Sequence, residues 1–177
     1  MAKKKTTGIV GQFTINGKPV QITDSWDKCT FSQYLAIMKM QDEKELLSII
    51  TGIPYEDIKN AKISGLEKLL HAAGFINTIP DIPKTPKKVG PFKLPLNSKG
   101  IFDVQFESLA QFEDMRMIMG KTDLKNPYEL TKSYGIYCAI YLQKMRDKEY
   151  DGDNAMSMVP EIMEYPALEV ISAGSFF

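Results

Sequence analysis

Arginine is nearly absent: Arg116 and Arg146 are the only two among 177 residues. Phosphate grips and guanine-edge contacts favour the forked guanidinium, so this supply argues against a dedicated nucleic-acid reader. Histidine is limited to His71, and cysteine to Cys29 and Cys138, which lie far apart and match no metal-ligand spacing. They read as two free, buried thiols in a reducing cytosol, and not as a disulfide. No stretch approaches the roughly 20 apolar residues that a membrane span needs. The start, MAKKKTTGIVGQ, has basic residues but no apolar core behind them, so it is not a secretory signal. A phosphate-binding glycine loop, a zinc spacing and a nucleophile elbow are all missing. The expectation is a soluble, non-enzymatic protein with no catalytic residue, cofactor, metal, membrane or small-molecule substrate.

What is present is ordinary in amount and uneven in arrangement. Lys+Arg and Asp+Glu number 22 each, so the formal charge is zero. Yet residues 1–30 carry five Lys against two Asp, and residues 80–100 carry five Lys against Asp81 alone. Residues 101–177 carry thirteen acids against seven bases. A basic front and middle on an acidic back half suits charge-complementary self-assembly at least as well as nucleic-acid binding.

The local signals are mostly helical. GIVGQFTINGKPVQIT (8–23) alternates on both sides of Asn16-Gly17, a pair that favours the positive φ angles of a tight hairpin turn. Pro19 lacks an N–H, which places the second strand at an edge or makes it irregular there. Thr30/Gln33, Ser64/Glu67, Ser108/Gln111 and Asn126/Glu129 have the spacing of capping boxes, and Pro127 sits where a helix begins without needing its N–H. Helices are expected over 31–50, 54–62, 65–76, 109–119 and 127–147, with a strand at 100–106. A further helical stretch, 155–177, should be interrupted at Pro160 and Pro166. Leu109, Phe112, Met115 and Met119 are expected to share the inner face of their helix, and Tyr134, Tyr137, Cys138 and Tyr141 to form packed core or interface.

NTIPDIPKTPKKVGPFKLPLNSKG (77–100) holds five prolines and five lysines with almost no period. It reads as a stiff, extended arm without internal hydrogen bonds, reaching a neighbouring subunit. The fold class is therefore α+β, mainly α-helical. A β-hairpin packed on a small helical bundle occupies 1–76, the Pro/Lys-rich arm 77–100, and a strand plus helical segment 101–177 completes the same domain.

Three motifs invite sharper readings and yield bland ones. LLSIITGIPYEDIKNAK resembles a helix-turn-helix, but its second helix would present Glu56 and Asp57 to the duplex. Gly52 as a left-handed C-cap and Pro54 as a helix starter explain the turn without DNA. Asp147, Glu149, Asp151 and Asp153 around Gly152 mimic the start of an EF-hand, but Met158 stands where the bidentate Glu should be. His71 reads as a surface helix residue.

The hairpin INGKPVQI, then SWDKCTFSQYLAI, then LLSIITGIPYEDIKNAKISGLEKLLHAAGFI resembles small structural and tail-assembly proteins of tailed bacteriophages, including those of crAss-like phages. The closing MEYPALEVISAGSFF resembles the end of the same group, and the likeness covers 9–79 best and 160–177 second. Pro54 departs from the Ser or Asp cap of the related turns. The resemblance implies a subunit of a portal–neck–tail ring in the virion, or alternatively a transient tail assembly chaperone made in the host cytoplasm. Its implied partners are copies of itself in a homo-oligomeric ring and neighbouring portal or tail ring proteins. The candidate subunit-interface residues are Pro83, Pro86, Lys87, Lys88, Phe92 and Leu94 in the arm, and Phe176 and Phe177 at the end, which are expected to dock either on the Tyr134/Tyr137/Tyr141 helix of their own chain or on a neighbouring subunit.

Overall fold

Asn16 and Gly17 both take positive φ, 52° and 76°, and so close the hairpin their chemistry anticipates. The computed structural model describes residues 13–64, 66–147 and 149–177. The Lys3–Lys5 run, the expected hairpin residues 8–12 and the Ser64/Glu67 side-chain pairing lie outside the described residues. The fold is mainly α-helical α+β. In chain order it runs β1 (Thr14–Ile15), β2 (Lys18–Pro19), α1 (Phe31–Ile37), α2 (Glu43–Thr51), α3 (Tyr55–Lys59), β3 (Ile63–Ser64) and α4 (Leu66–Ala73). It continues with β4 (Lys88–Val89), β5 (Phe92–Lys93), α5 (Leu109–Lys121), α6 (Pro127–Arg146), α7 (Gly152–Met163) and α8 (Ala167–Gly174).

The chain divides into two compact units instead of one domain joined by an arm. The first holds residues up to 29 with 36–79, and the second holds 30–35 with 80–177.

In the first unit β1 pairs antiparallel with β2 on one side and β3 on the other, so Pro19 does lie on an edge strand. Asn16 adds a tie by accepting the Lys62 N–H at 3.1 Å. Phe13, Ile15 and Ile22 from the strand layer bury against Leu46, Leu47, Ile50, Ile58 and Leu69 from the helices. The helix expected over 31–50 is two helices, because Asp42 caps α2 and accepts the amides of Lys44 and Glu45, both at 2.8 Å. Glu45 reaches back to the Gln41 N–H, completing a reciprocal cap that leaves the chain between α1 and α2 non-helical. Gly52 ends α2 with φ 69° and its N–H on the Ser48 carbonyl at 2.9 Å. Helix α3 that follows is only 5 residues long.

The second unit is built around α6. Nine of its residues are buried, and α5, α7 and α8 pack on it. A helix covered on several sides needs apolar or satisfied polar residues all round, which is what Tyr137, Ile140, Tyr141, Leu142 and Gln143 supply. Thr30 and Gln33 form the full reciprocal box that starts α1, at 3.1 and 3.2 Å. Ser108 and Asn126 likewise cap α5 and α6. Gly135 gives the Phe31 ring room against α6, where an added Cβ would approach to 2.9 Å.

Two expectations fail here for tertiary reasons. Pro160 lies inside α7 without ending it. The buried stripe Ala155, Met158 and Ile162 anchors the helix on both sides of the proline, and burial of that stripe offsets the lost hydrogen bond. Residues 100–106 form no strand: Phe102 makes a single bridge to Leu96, and the chain then runs irregularly into α5. Pro166 does separate α7 from α8, as its chemistry demands.

Candidate interaction surfaces

The segment expected to be a free arm is part of the second unit. Its alternation Lys88-Val89, Phe92-Lys93 pairs as a hairpin, with Val89 opposite Phe92 and Leu94 N–H extending the ladder to Lys87 at 3.0 Å. Gly90 takes φ +55° at the first central position of the turn, a conformation that glycine adopts without steric cost. Three contacts fasten the hairpin to α8. The Gly90 N–H donates to Glu169 Oε2 at 2.9 Å, Lys88 Nζ pairs with Glu169 Oε1 at 2.8 Å, and Ser172 Oγ donates to the Pro83 carbonyl at 2.5 Å. Polyproline character did not decide the outcome because these partners come from residues 79 to 89 positions away.

The candidate interface residues therefore separate into two groups. Pro86, Val89 and Leu94 are buried within their own unit, and Phe92 is half-buried. Pro86 and Leu94 are withdrawn from any neighbour, which corrects the reading of the arm. Pro83, Lys87 and Lys88 remain exposed, although Lys88 is engaged by Glu169.

The C-terminal phenylalanines also close on their own unit. Phe177 lies 5.2 Å from the Tyr141 ring, 6.0 Å from Phe102 and 6.4 Å from Tyr137, centroid to centroid. Phe176 meets Phe102 edge-on at 5.6 Å but stays 39% exposed. The tyrosine stripe of α6 is thus the core of an aromatic cluster that the chain end completes. Burial raises the phenol pKa of Tyr141 above its usual range.

Helix α5 faces the core differently from its sequence pattern. Gln111 and Met115 are buried, while Leu109, Phe112 and Met119 point to solvent at 71%, 46% and 40% exposure. The cause is Gln111, whose Nε2 donates to the Ile140 carbonyl of α6 at 3.1 Å and whose Oε1 accepts the Glu107 N–H at 3.2 Å. A buried amide with both ends satisfied turns the helix and leaves an apolar face outward. Arg116 lies on that face between Phe112 and Met119 and is also exposed.

Residues 96–101 form an exposed loop closed by its own hydrogen bonds. Asn97 Oδ1 accepts the N–H groups of Lys99 and Ile101 at 2.9 and 3.1 Å, and the Asn97 N–H returns to the Ile101 carbonyl at 2.9 Å. Gly100 takes φ +73°. Leu96 and Ile101, 41% and 46% exposed, flank Lys99 at the tip.

The first unit carries an open cleft of about 430 Å³ at the start of α2. Met40, Leu46, Leu70, Ala73 and Ile76 form its apolar wall. Asp42 and Glu43 stand on its rim with Gln41 and Asn77. The Glu45 and Lys44 amides hold the Asp42 carboxyl below the usual carboxylate range, so that rim is charged.

The remaining motifs resolve into packing. Gln143, fully buried, binds Asp147 Oδ2 and the Glu149 carbonyl through Nε2 and accepts the Asp151 N–H, fixing the acidic turn from within. Asp151 caps α7 through the Asn154 N–H. No group of metal-ligating side chains occurs among the described residues. Cys29 and Cys138 are buried and not joined in a disulfide, and burial raises both thiol pKa values, that of Cys29 to about 12. His71 is exposed on α4. No described helix is long and apolar enough to cross a membrane.

Sequence reasoning missed the Gly90 turn, the loop at Asn97 and the inward face of Gln111. Gly-Pro between Val and Phe was the available signal for the first. No protein-family model, curated protein or solved structure matches the chain.

Proposed function

We propose that this chain is a non-enzymatic structural subunit of the portal–neck–tail assembly of a tailed bacteriophage, where copies of it form a ring or connector. The observation that supports this reading most is the outward face of α5. Leu109, Phe112, Arg116 and Met119 together have the apolar, aromatic and arginine composition that protein–protein interfaces concentrate. Such a face, left in water, marks a surface that a partner covers. The rest of the second unit gives it a stiff base, because the caps, the hairpin and the chain end are all tied down.

The arm no longer supports the reading, since it folds on its own unit. A transient assembly chaperone is not favoured by the chain end either: Phe177 is engaged in the intramolecular aromatic cluster. Light scattering on the full chain and on Phe112→Asp tests the proposal. A stable homo-oligomer that the substitution reduces to monomer is the expected result. A wild-type chain that stays monomeric at every concentration contradicts it.

A further inference from the structure

Two surfaces of the protein are complementary, and a single copy carries one on each unit. The loop 96–101 projects a lysine between two exposed aliphatic side chains and is locked by Asn97. The cleft beside α2 offers an apolar wall under a carboxylate rim. We propose that the Leu96–Ile101 loop of one copy seats in the α2–α4 cleft of a second copy, with Leu96 and Ile101 on Met40, Leu46 and Leu70 and with Lys99 at Glu43. The inference rests on the ring reading above and adds to that assembly a second contact, separate from the α5 face.

Three observations favour this occupant over an unrelated partner. The first is sign: the charge within the 96–101 loop is that of Lys99, and the rim carries Asp42 and Glu43. Opposed charges steer encounter and fix register even where they add little affinity. The second is size, since about 430 Å³ accommodates a few aliphatic side chains. The third is preorganisation: the loop's own hydrogen bonds already hold its shape, so docking costs little ordering entropy. The contact joins different surfaces on the two copies, so it is heterologous and repeats from copy to copy until a ring closes.

Charge reversal on the full chain tests the contact. Lys99 and Glu43 are both exposed, and neither caps a helix, so Lys99→Glu and Glu43→Lys leave folding intact, as circular dichroism and melting will verify. Each single variant is expected to weaken self-association by about tenfold or more, and the double variant to recover most of the loss. A second measurement mixes Leu70→Cys protein with Ile101→Cys protein under mild oxidation, and a cross-linked dimer of the two is expected. If the wild-type chain assembles but neither reversal changes the assembly, and no mixed cross-link forms, the loop-in-cleft contact is wrong while the ring reading stands. A wild-type chain that is monomeric throughout overturns both.

Discussion

Gly90 lies so close to Tyr165 that a Cβ built on it would sit 2.7 Å from the ring carbons. Its φ of +55° and its N–H bond to Glu169 hold the turn of the β4–β5 hairpin in that position. Gly90→Ala is therefore expected to destabilise the second unit by about 2 kcal/mol or more, combining left-handed backbone strain with a clash. Gly100→Ala is the control, because φ is +73° there but nothing lies within 4 Å of the added Cβ. It should cost only the backbone share, about 1 kcal/mol. Denaturant unfolding of both variants checks the order, and equal effects would mean the Tyr165 contact contributes nothing.

Phe177 gathers Phe102, Phe106, Tyr137 and Tyr141 around the chain end. Phe177→Ala should lower stability by roughly 2 kcal/mol, since the ring is only partly covered and a full core truncation costs more. The loss should appear in the monomer, before any assembly. Unchanged unfolding with impaired assembly would instead make the chain end an intersubunit contact.

Cys29 gives a pH dependence with a definite sign. Burial favours its neutral thiol and pushes its pKa to about 12, against an ordinary value of 9.0. Folding then keeps a proton that the unfolded chain gives up, so stability is full below pH 9.0 and declines as pH rises from there toward about 12. Cys29→Ala should flatten part of that decline in an unfolding series over this window. The same burial predicts that a thiol reagent labels neither Cys29 nor Cys138 until the protein unfolds.

Much of the local structure could be read from the sequence because its causes are local. Asn16-Gly17, the Thr30/Gln33 box, the Ser108 and Asn126 caps and Gly52 each act within a few residues, and each appears where its chemistry puts it. The errors share a different cause. The arm became a hairpin because Glu169 and Ser172 wait for it on α8, and α5 turned because Gln111 found carbonyls on α6. Pro160 was absorbed because the stripe through Ala155 and Ile162 is anchored elsewhere. None of these partners is visible from spacing alone. The exposed face of α5 was foreseen as apolar, but its direction required the structure.

Native mass spectrometry of the full chain, with negative-stain images of the same sample, tests the central claim most directly. The account predicts one closed species of defined copy number with rotational symmetry, losing subunits when Leu109→Ser and Phe112→Asp are combined. A single monomer mass at micromolar concentration, with no ring in the images, would contradict it.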